Sequence, residues 1–207
     1  MHSSQQLLTE ASQPILIVIS GPAGAGKDAL IQRMRERGHT FHFVVTATDR
    51  PPRPGEVDGV DYHFLSSAEF AQMIENDELL EHAEVYGQNK GIPKQQVREA
   101  LDSGLDVVMR IDVQGAETMQ RILPDAVFIF LTASSDCELE GRLRARGGDT
   151  EQQIQARLAT ARMELQRLKS FRYAVINRDQ ELDRAVDDVL AIVRAERRRV
   201  GRRPVEI

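Results

Sequence analysis

The chain of 207 residues has one cysteine, Cys137, and no tryptophan. One thiol cannot close an internal disulfide, so the fold must stand on its core, and the composition suits a reducing compartment. Aromatic residues make up only 5% of the chain, and no apolar run approaches the roughly 20 residues that a membrane span needs. A basic excess is also missing: 27 lysines and arginines face 32 aspartates and glutamates, a formal net charge of −5. General nucleic-acid affinity rests on clustered cations, so this balance argues against it. The local arginine clusters suit a small phosphorylated ligand better than a polymer. The first thirteen residues are polar, lack the basic start and apolar middle of a targeting peptide, and read as a loose tail. The bulk properties therefore point to one sizeable α/β domain with inserted subdomains, cytoplasmic, monomeric or homodimeric, with neither nucleic-acid nor membrane partners.

What is present is organised around Gly21-Pro22-Ala23-Gly24-Ala25-Gly26-Lys27-Asp28. Before it runs Ile15-Leu16-Ile17-Val18-Ile19, too short and too β-branched for a helix and better read as a buried strand. After it, Leu30, Ile31 and Met34 recur at helical spacing. Strand, glycine loop and helix together make the context of a phosphate loop. The glycines let backbone N–H groups turn inward, the helix N-terminus adds partial positive charge, and Lys27 can reach the outer phosphates of a nucleoside triphosphate. The competing reading is a glycine-rich turn before a helix, which the GxxxxGK spacing disfavours. Asp28 departs from the pattern, standing where Ser or Thr usually holds magnesium.

Further along, Phe41 to Thr46 reads as a second strand and runs into the stiff loop Thr48-Asp49-Arg50-Pro51-Pro52-Arg53-Pro54-Gly55-Glu56. Arg50 and Arg53 could fork a phosphate there, or form a solvated basic turn. An Asp58-Gly59 turn leads into the alternating Val60–Phe64, and Ser66 or Ser67 with Glu69 opens a helix. Leu79–Tyr86 reads as a strand ending at Gly87, and Pro93 opens a helix over 94–102. The stretch from about Thr46 to Pro93 thus interrupts the strand–helix alternation and looks like an inserted substrate-binding unit. The alternation resumes with Asp106–Ile111, ending at Asp112, where parallel sheets gather their ligands. Ala126–Leu131 is another buried strand, and Ser134 or Ser135 caps the helix near Cys137. Arg142 to Asp149, basic and broken by two glycines, sits between helical patterns as a mobile lid over phosphates would, or as a solvated charged helix pair. Tyr173–Ile176 is the last strand, ending at Asn177. A helix from Leu182 to about Arg197 buries Val186, Val189, Leu190 and Val193, and the arginines after it read as a solvated tail.

Together these stretches resemble the guanylate kinases. The quoted matches are Ile19 through Lys27, Arg50-Pro51-Pro52-Arg53-Pro54-Gly55-Glu56-Val57-Asp58-Gly59-Val60-Asp61-Tyr62, Ile111-Asp112-Val113-Gln114-Gly115 and Val175-Ile176-Asn177. Gly26-Lys27-Asp28-Ala29 with Lys90 to Arg98 looks like the organellar-type branch. The resemblance implies a phosphate-loop core with a parallel sheet, of nucleoside-monophosphate-kinase type: core 14–45, 96–141 and 161–200, GMP-binding insert 46–95, and helical lid 142–160. It implies transfer of the γ-phosphoryl of ATP to GMP, and to dGMP, in purine nucleotide metabolism, with Mg2+. Gly21 through Asp28 and Asn177 would bind ATP. Thr46, Arg50, Arg53, Tyr62, Glu81, Lys90 and Asp112 would bind GMP. Lys27, Arg142, Arg146 and Arg157 would neutralise the transferring phosphoryl, and Asp28 would hold the metal.

Glu81 suits the reading of guanine. A carboxylate accepts from both N1–H and the exocyclic amine, whereas adenine opposes it with an acceptor, a mismatch worth roughly 10⁴ in discrimination. Three residues depart from the family. Lys90 stands in place of a phosphate-binding tyrosine. Ile92 replaces a hydroxyl that helps read guanine O6, which bears on the strictness of selection. Arg110 replaces an acidic residue. The acceptor oxygen of GMP is already anionic near neutral pH, so positioning and charge neutralisation suffice without a general base. Two rival readings are a ribose bisphosphate kinase, which typically lacks the full Arg50–Tyr62 loop and Glu81, and a silent binding module, which usually has a degraded loop and lid.

Overall fold

The computed structural model describes residues 13–85, 87–145, 147 and 150–207. The proposed tail therefore lies outside the described residues up to Ser12. Leu16–Ser20 (β1), Phe41–Phe43 (β2), Asp106–Arg110 (β7), Val127–Thr132 (β8) and Tyr173–Ile176 (β9) form a parallel sheet in the order β2-β7-β1-β8-β9. Thr46–Thr48 (β3), Tyr62–Phe64 (β4), Leu79–Val85 (β5) and Gln88–Pro93 (β6) form a second sheet in the order β4-β3-β6-β5. The helices are Lys27–Glu36 (α1), Ser67–Glu75 (α2), Lys94–Asp102 (α3), Val113–Ile122 (α4), Asp136–Ala145 (α5), Glu151–Gln166 (α6) and Leu182–Arg197 (α7).

The unbroken apolar run of β1 follows from burial on both faces of the parallel sheet. Leu16 and Val18 join Met109, Phe128 and Phe130 in one cluster, while Ile15, Ile17 and Ile19 join Leu30, Met34, Val186 and Val189 in the other. Successive side chains on a strand alternate sides, so each layer of helices receives every second residue. The helix α7 covers α1, and the bidentate Arg33–Asp183 contact ties their exposed edges.

Two elements depart from the sequence reading. The strand expected over 41–46 divides, because the chain leaves one sheet for the other at Val44 and Val45, where the Gln96 side chain accepts from the Val45 N–H at 2.6 Å. The strand β6 has no counterpart in the sequence reading. Its run Gln88-Asn89-Lys90-Gly91-Ile92 lacks a β-branched alternation, and it is held by antiparallel pairing to both β3 and β5. Pro93 is the N-cap of α3, whose span is the one expected. The basic run from Arg197 onward is not all solvated either. Arg202, only 5% exposed, donates to the carbonyls of Gln13 and Pro14, and Arg197 pairs with Asp106, whose other oxygen accepts from the Ile15 N–H. Charge count alone does not reveal these carbonyl and carboxylate partners, which lie far away in sequence.

The capping residues follow their sequence signals. Ser66 and Glu69 form a full capping box at α2, Thr150 and Gln153 form one at α6, and Ser135 accepts from the Glu138 N–H at α5. Among the described residues no helix is long and apolar enough to cross a membrane.

Candidate functional site

A cleft of about 400 Å³ opens at the carboxyl ends of β1 and β7. Its walls include the loop from Gly21 to Asp28, except Ala25, together with Thr46, Arg53, Tyr62, Lys90, Arg110, Asp112, Arg142, Arg157 and Glu164. The chain turns from β1 into α1 through Gly26, whose φ of +89° lies in the left-handed region. A Cβ there would stand 2.3 Å from the Asn177 amide nitrogen, so only glycine lets that side chain approach. The same amide donates to the Ala25 carbonyl at 2.9 Å, so Asn177 braces the loop from β9.

Lys27 lies across its own loop, donating to the carbonyls of Gly21 at 2.5 Å and Pro22 at 3.1 Å. Burial pushes its pKa down, opposed by the charges of Glu164 and Asp28. Glu164 comes from α6 and was not anticipated: no local pattern distinguishes it from the other charges of a long helix. Burial raises its pKa, and its Oε2 is buried without a hydrogen-bond partner among the described residues. The expected lid arginines have different surroundings. Arg142 is bound to Asp179 at 2.7 Å, to the Asn177 carbonyl at 2.7 Å and to the Ala25 carbonyl at 3.4 Å, so it grips the loop's base. Arg157 faces the cleft, and Arg146 lies outside the described residues.

On the opposite wall, Arg50 and Arg53 sit in the loop between β3 and β4. Arg50 is buried, and its guanidinium forks the Glu56 carboxylate with two bonds of 2.6 Å. Glu56 also accepts from the Arg53 backbone N–H, and the Arg50 contacts hold its pKa at about 2. This internal carboxylate fixes the loop and occupies the fork that the sequence suggested for a phosphate. Arg50 lies over the Tyr62 ring at 4.7 Å, and Arg110 lies over the same ring at 4.8 Å. Thr46, buried beside the cleft, has a hydroxyl without a hydrogen-bond partner among the described residues.

Glu81, on β5, is buried beside Asp112 of the cleft wall. Burial first, and the Asp112 charge second, push its pKa up to about 8. Asp112 caps α4 by accepting from the Gly115 N–H at 2.8 Å, a structural duty alongside its place in the cleft wall. A Cβ on Gly115 would stand 2.6 Å from Glu81 Oε1. Glu81 thus packs against the first turn of α4 through a gap that only glycine leaves. Gly115→Ala is expected to displace this carboxylate and, where the carboxylate contacts a substrate, to raise KM for that substrate by about tenfold, with kcat little changed. Steady-state kinetics at fixed co-substrate check this.

A parallel sheet with a glycine loop leading into a helix, a lysine at that helix's first turn, and an arginine-bearing helical pair beside a small inserted sheet define a phosphate-loop kinase of the nucleoside-monophosphate type. The family model for guanylate kinase matches residues 13–196. Guanylate kinase 2, chloroplastic/mitochondrial, from Oryza sativa subsp. japonica is 50% identical over 205 residues, covering 99% of this chain and 72% of its own. Guanylate kinase from Halalkalibacterium halodurans is 46% identical over 187 residues, 90% of this chain and 91% of its own. The crystal structure of guanylate kinase from Anaplasma phagocytophilum matches with a TM-score of 0.74 at 28% identity, covering 92% of this chain and 90% of that one. The chain belongs to the guanylate kinase family, and is a phosphotransferase that moves the γ-phosphoryl of ATP onto GMP.

Proposed function

We propose that the cleft performs this ATP:GMP transfer with a division of labour between its walls. The observation that carries it is that one cleft is lined at once by the phosphate loop with Lys27 and by Thr46, Arg53, Tyr62, Lys90 and Asp112 of the facing side. The loop N–H groups and Lys27 hold the ATP phosphates, with Asn177 at the adenine end. Arg53 and Tyr62, with Lys90 as a point charge, hold the GMP phosphate, and Arg50 backs Tyr62. Glu81, with Thr46 and Asp112, reads guanine. Lys27, Arg142, Arg146 and Arg157 spread the charge of an in-line transition state. The phosphoryl group leaves the ADP oxygen and bonds to a GMP phosphate oxygen that is already anionic, so no side chain need accept a proton.

Among the described residues, no group of three or more His, Cys, Asp or Glu side chains could hold a metal by itself. Magnesium needs no such cage, because it keeps several waters and takes its other oxygens from substrate phosphates and one or two carboxylates. Asp28, 64% exposed on the cleft wall, and Asp112 suit that role. Magnesium, when bound, would neutralise phosphate charge. The rice relative's chloroplastic/mitochondrial name leaves a cytoplasmic location of this chain as a proposal, which fractionation tests.

The functional test is ADP release with ATP and magnesium, offering GMP, dGMP, AMP and ribose 1,5-bisphosphate separately. Turnover is expected with GMP and dGMP alone. Turnover of the ribose compound alone would overturn the base-reading role of Glu81. Absence of turnover on all four would overturn the catalytic roles assigned to the cleft.

A further inference from the structure

Arg110 stands at the end of β7, beside Ile19 of β1, with its side chain only 12% exposed. The sheet supplies the strand end but not a partner for the charge, and a guanidinium this deep requires several. Three surround it, from two parts of the fold. Its Nε meets Asp28 Oδ1 at 2.9 Å, at the start of α1 and next to Lys27. Another nitrogen donates to the Asp61 carbonyl at 2.8 Å, in the turn before β4. Its plane lies over the Tyr62 ring, 4.8 Å from the centroid, in the range of a cation–π contact. Asp28, Arg110 and Tyr62 all line the same cleft.

We propose that Arg110 is a positioning residue that couples the two substrate sites: anchored on the phosphate loop through Asp28, it holds Tyr62 in place for the acceptor phosphate. Asp28 and Arg110 then act as one device. The carboxylate beside the loop lysine orients the guanidinium, and the guanidinium carries that orientation to the inserted sheet through one backbone carbonyl and one ring. Only a planar fork serves three partners in these directions. A lysine ammonium, a single point charge on a flexible stem, can satisfy the carboxylate or the carbonyl but cannot stack on the ring as well. The arrangement makes a residue on the ATP side, Asp28, a determinant of GMP binding. It rests on the assignment of Tyr62 to the acceptor phosphate, which has its own test below.

Four variants decide it: Arg110→Met, Arg110→Lys, Asp28→Asn and the double variant Asp28→Asn/Arg110→Met. GMP binding is measured by titration calorimetry without ATP or metal, and steady-state kinetics give KM for each substrate. Arg110→Met is expected to weaken GMP binding about 30-fold, with KM for ATP changed less than about threefold, and Arg110→Lys to recover only part of the loss. Asp28→Asn is expected to weaken GMP binding about fivefold, and to add nothing once Arg110 is gone, because neighbours acting through one contact are not additive. Parent-like GMP affinity in Arg110→Met overturns the proposal. So does an equal loss for ATP and GMP with a lowered Tm, which marks a merely structural residue. Additive effects in the double variant break the Asp28 link. Tyr62→Phe separates the two readings. Full GMP affinity in that variant overturns the role of Tyr62, whereas a loss there beside an unaffected Arg110→Met overturns the coupling alone.

Discussion

Lys27→Ala is expected to lose about 10³-fold in kcat while its Tm stays within about 4 °C of the parent. Both halves of this expectation come from the same geometry. Lys27 is half-buried at the first turn of α1, desolvation lowers its pKa, and its ammonium rests on the carbonyls of Gly21 and Pro22. A partly buried cation held by two carbonyls offsets its own desolvation and contributes little net stability, so its removal costs the fold little. In the proposed mechanism the same ammonium exchanges those carbonyls for triphosphate oxygens that gain charge in the transition state. Interactions that strengthen toward the transition state appear in kcat. Thermal unfolding and single-turnover transfer, run on the same preparation, make the comparison. Parent-like turnover would remove the phosphate loop from the mechanism, and a collapse of Tm would show the lysine to be structural first.

The legible parts of the molecule are those whose cause is local. The β1 strand, the glycine loop and α1 could be read because burial on both faces, left-handed backbone and helical spacing each leave a mark within a few residues. The capping box at Ser66 is of the same kind. The strand β6 was not legible, because its pairing partners supply what its own residues lack. The tail after α7 misled because Arg202 meets carbonyls 188 and 189 positions away. In the site, the loop residues and the cations were readable from the spacing and the family likeness. Their engagement was not. That Glu56 fills the Arg50 fork, that Arg142 grips Asp179 and Asn177, that Glu164 faces the loop lysine and that Arg110 joins Asp28 to Tyr62 are facts of three-dimensional proximity. Charges are placed by the fold, and their partners are chosen there.

Glu81→Gln is expected to reduce kcat/KM for GMP about 10³-fold and the preference for GMP over AMP by a similar factor. An ionised carboxylate offers two acceptors to the two donors of guanine. A carboxamide keeps one acceptor and turns its amine toward the other donor, while the same amine now suits the acceptor of adenine. Protonation of Glu81 does in part what the substitution does. With its pKa pushed up to about 8 by burial and the Asp112 charge, the empty site carries a neutral acid at pH 7. Guanine must then displace the proton, so kcat/KM for GMP is expected to rise with pH toward about 8 and level off above it. The Gln variant should lack this rise. The same proton acts on stability with the opposite sign. The folded chain holds it between the ordinary carboxyl pKa of 4.5 and about 8, where the unfolded chain has released it. Stability contributed by this group is therefore full below that window and is lost as pH rises through it. Glu81→Gln, which cannot ionise, should gain Tm relative to the parent at pH 9 more than at pH 5. A pH profile of kcat/KM that is parallel in parent and variant would remove Glu81 from base reading. Parallel Tm profiles would show instead that its carboxyl is not desolvated.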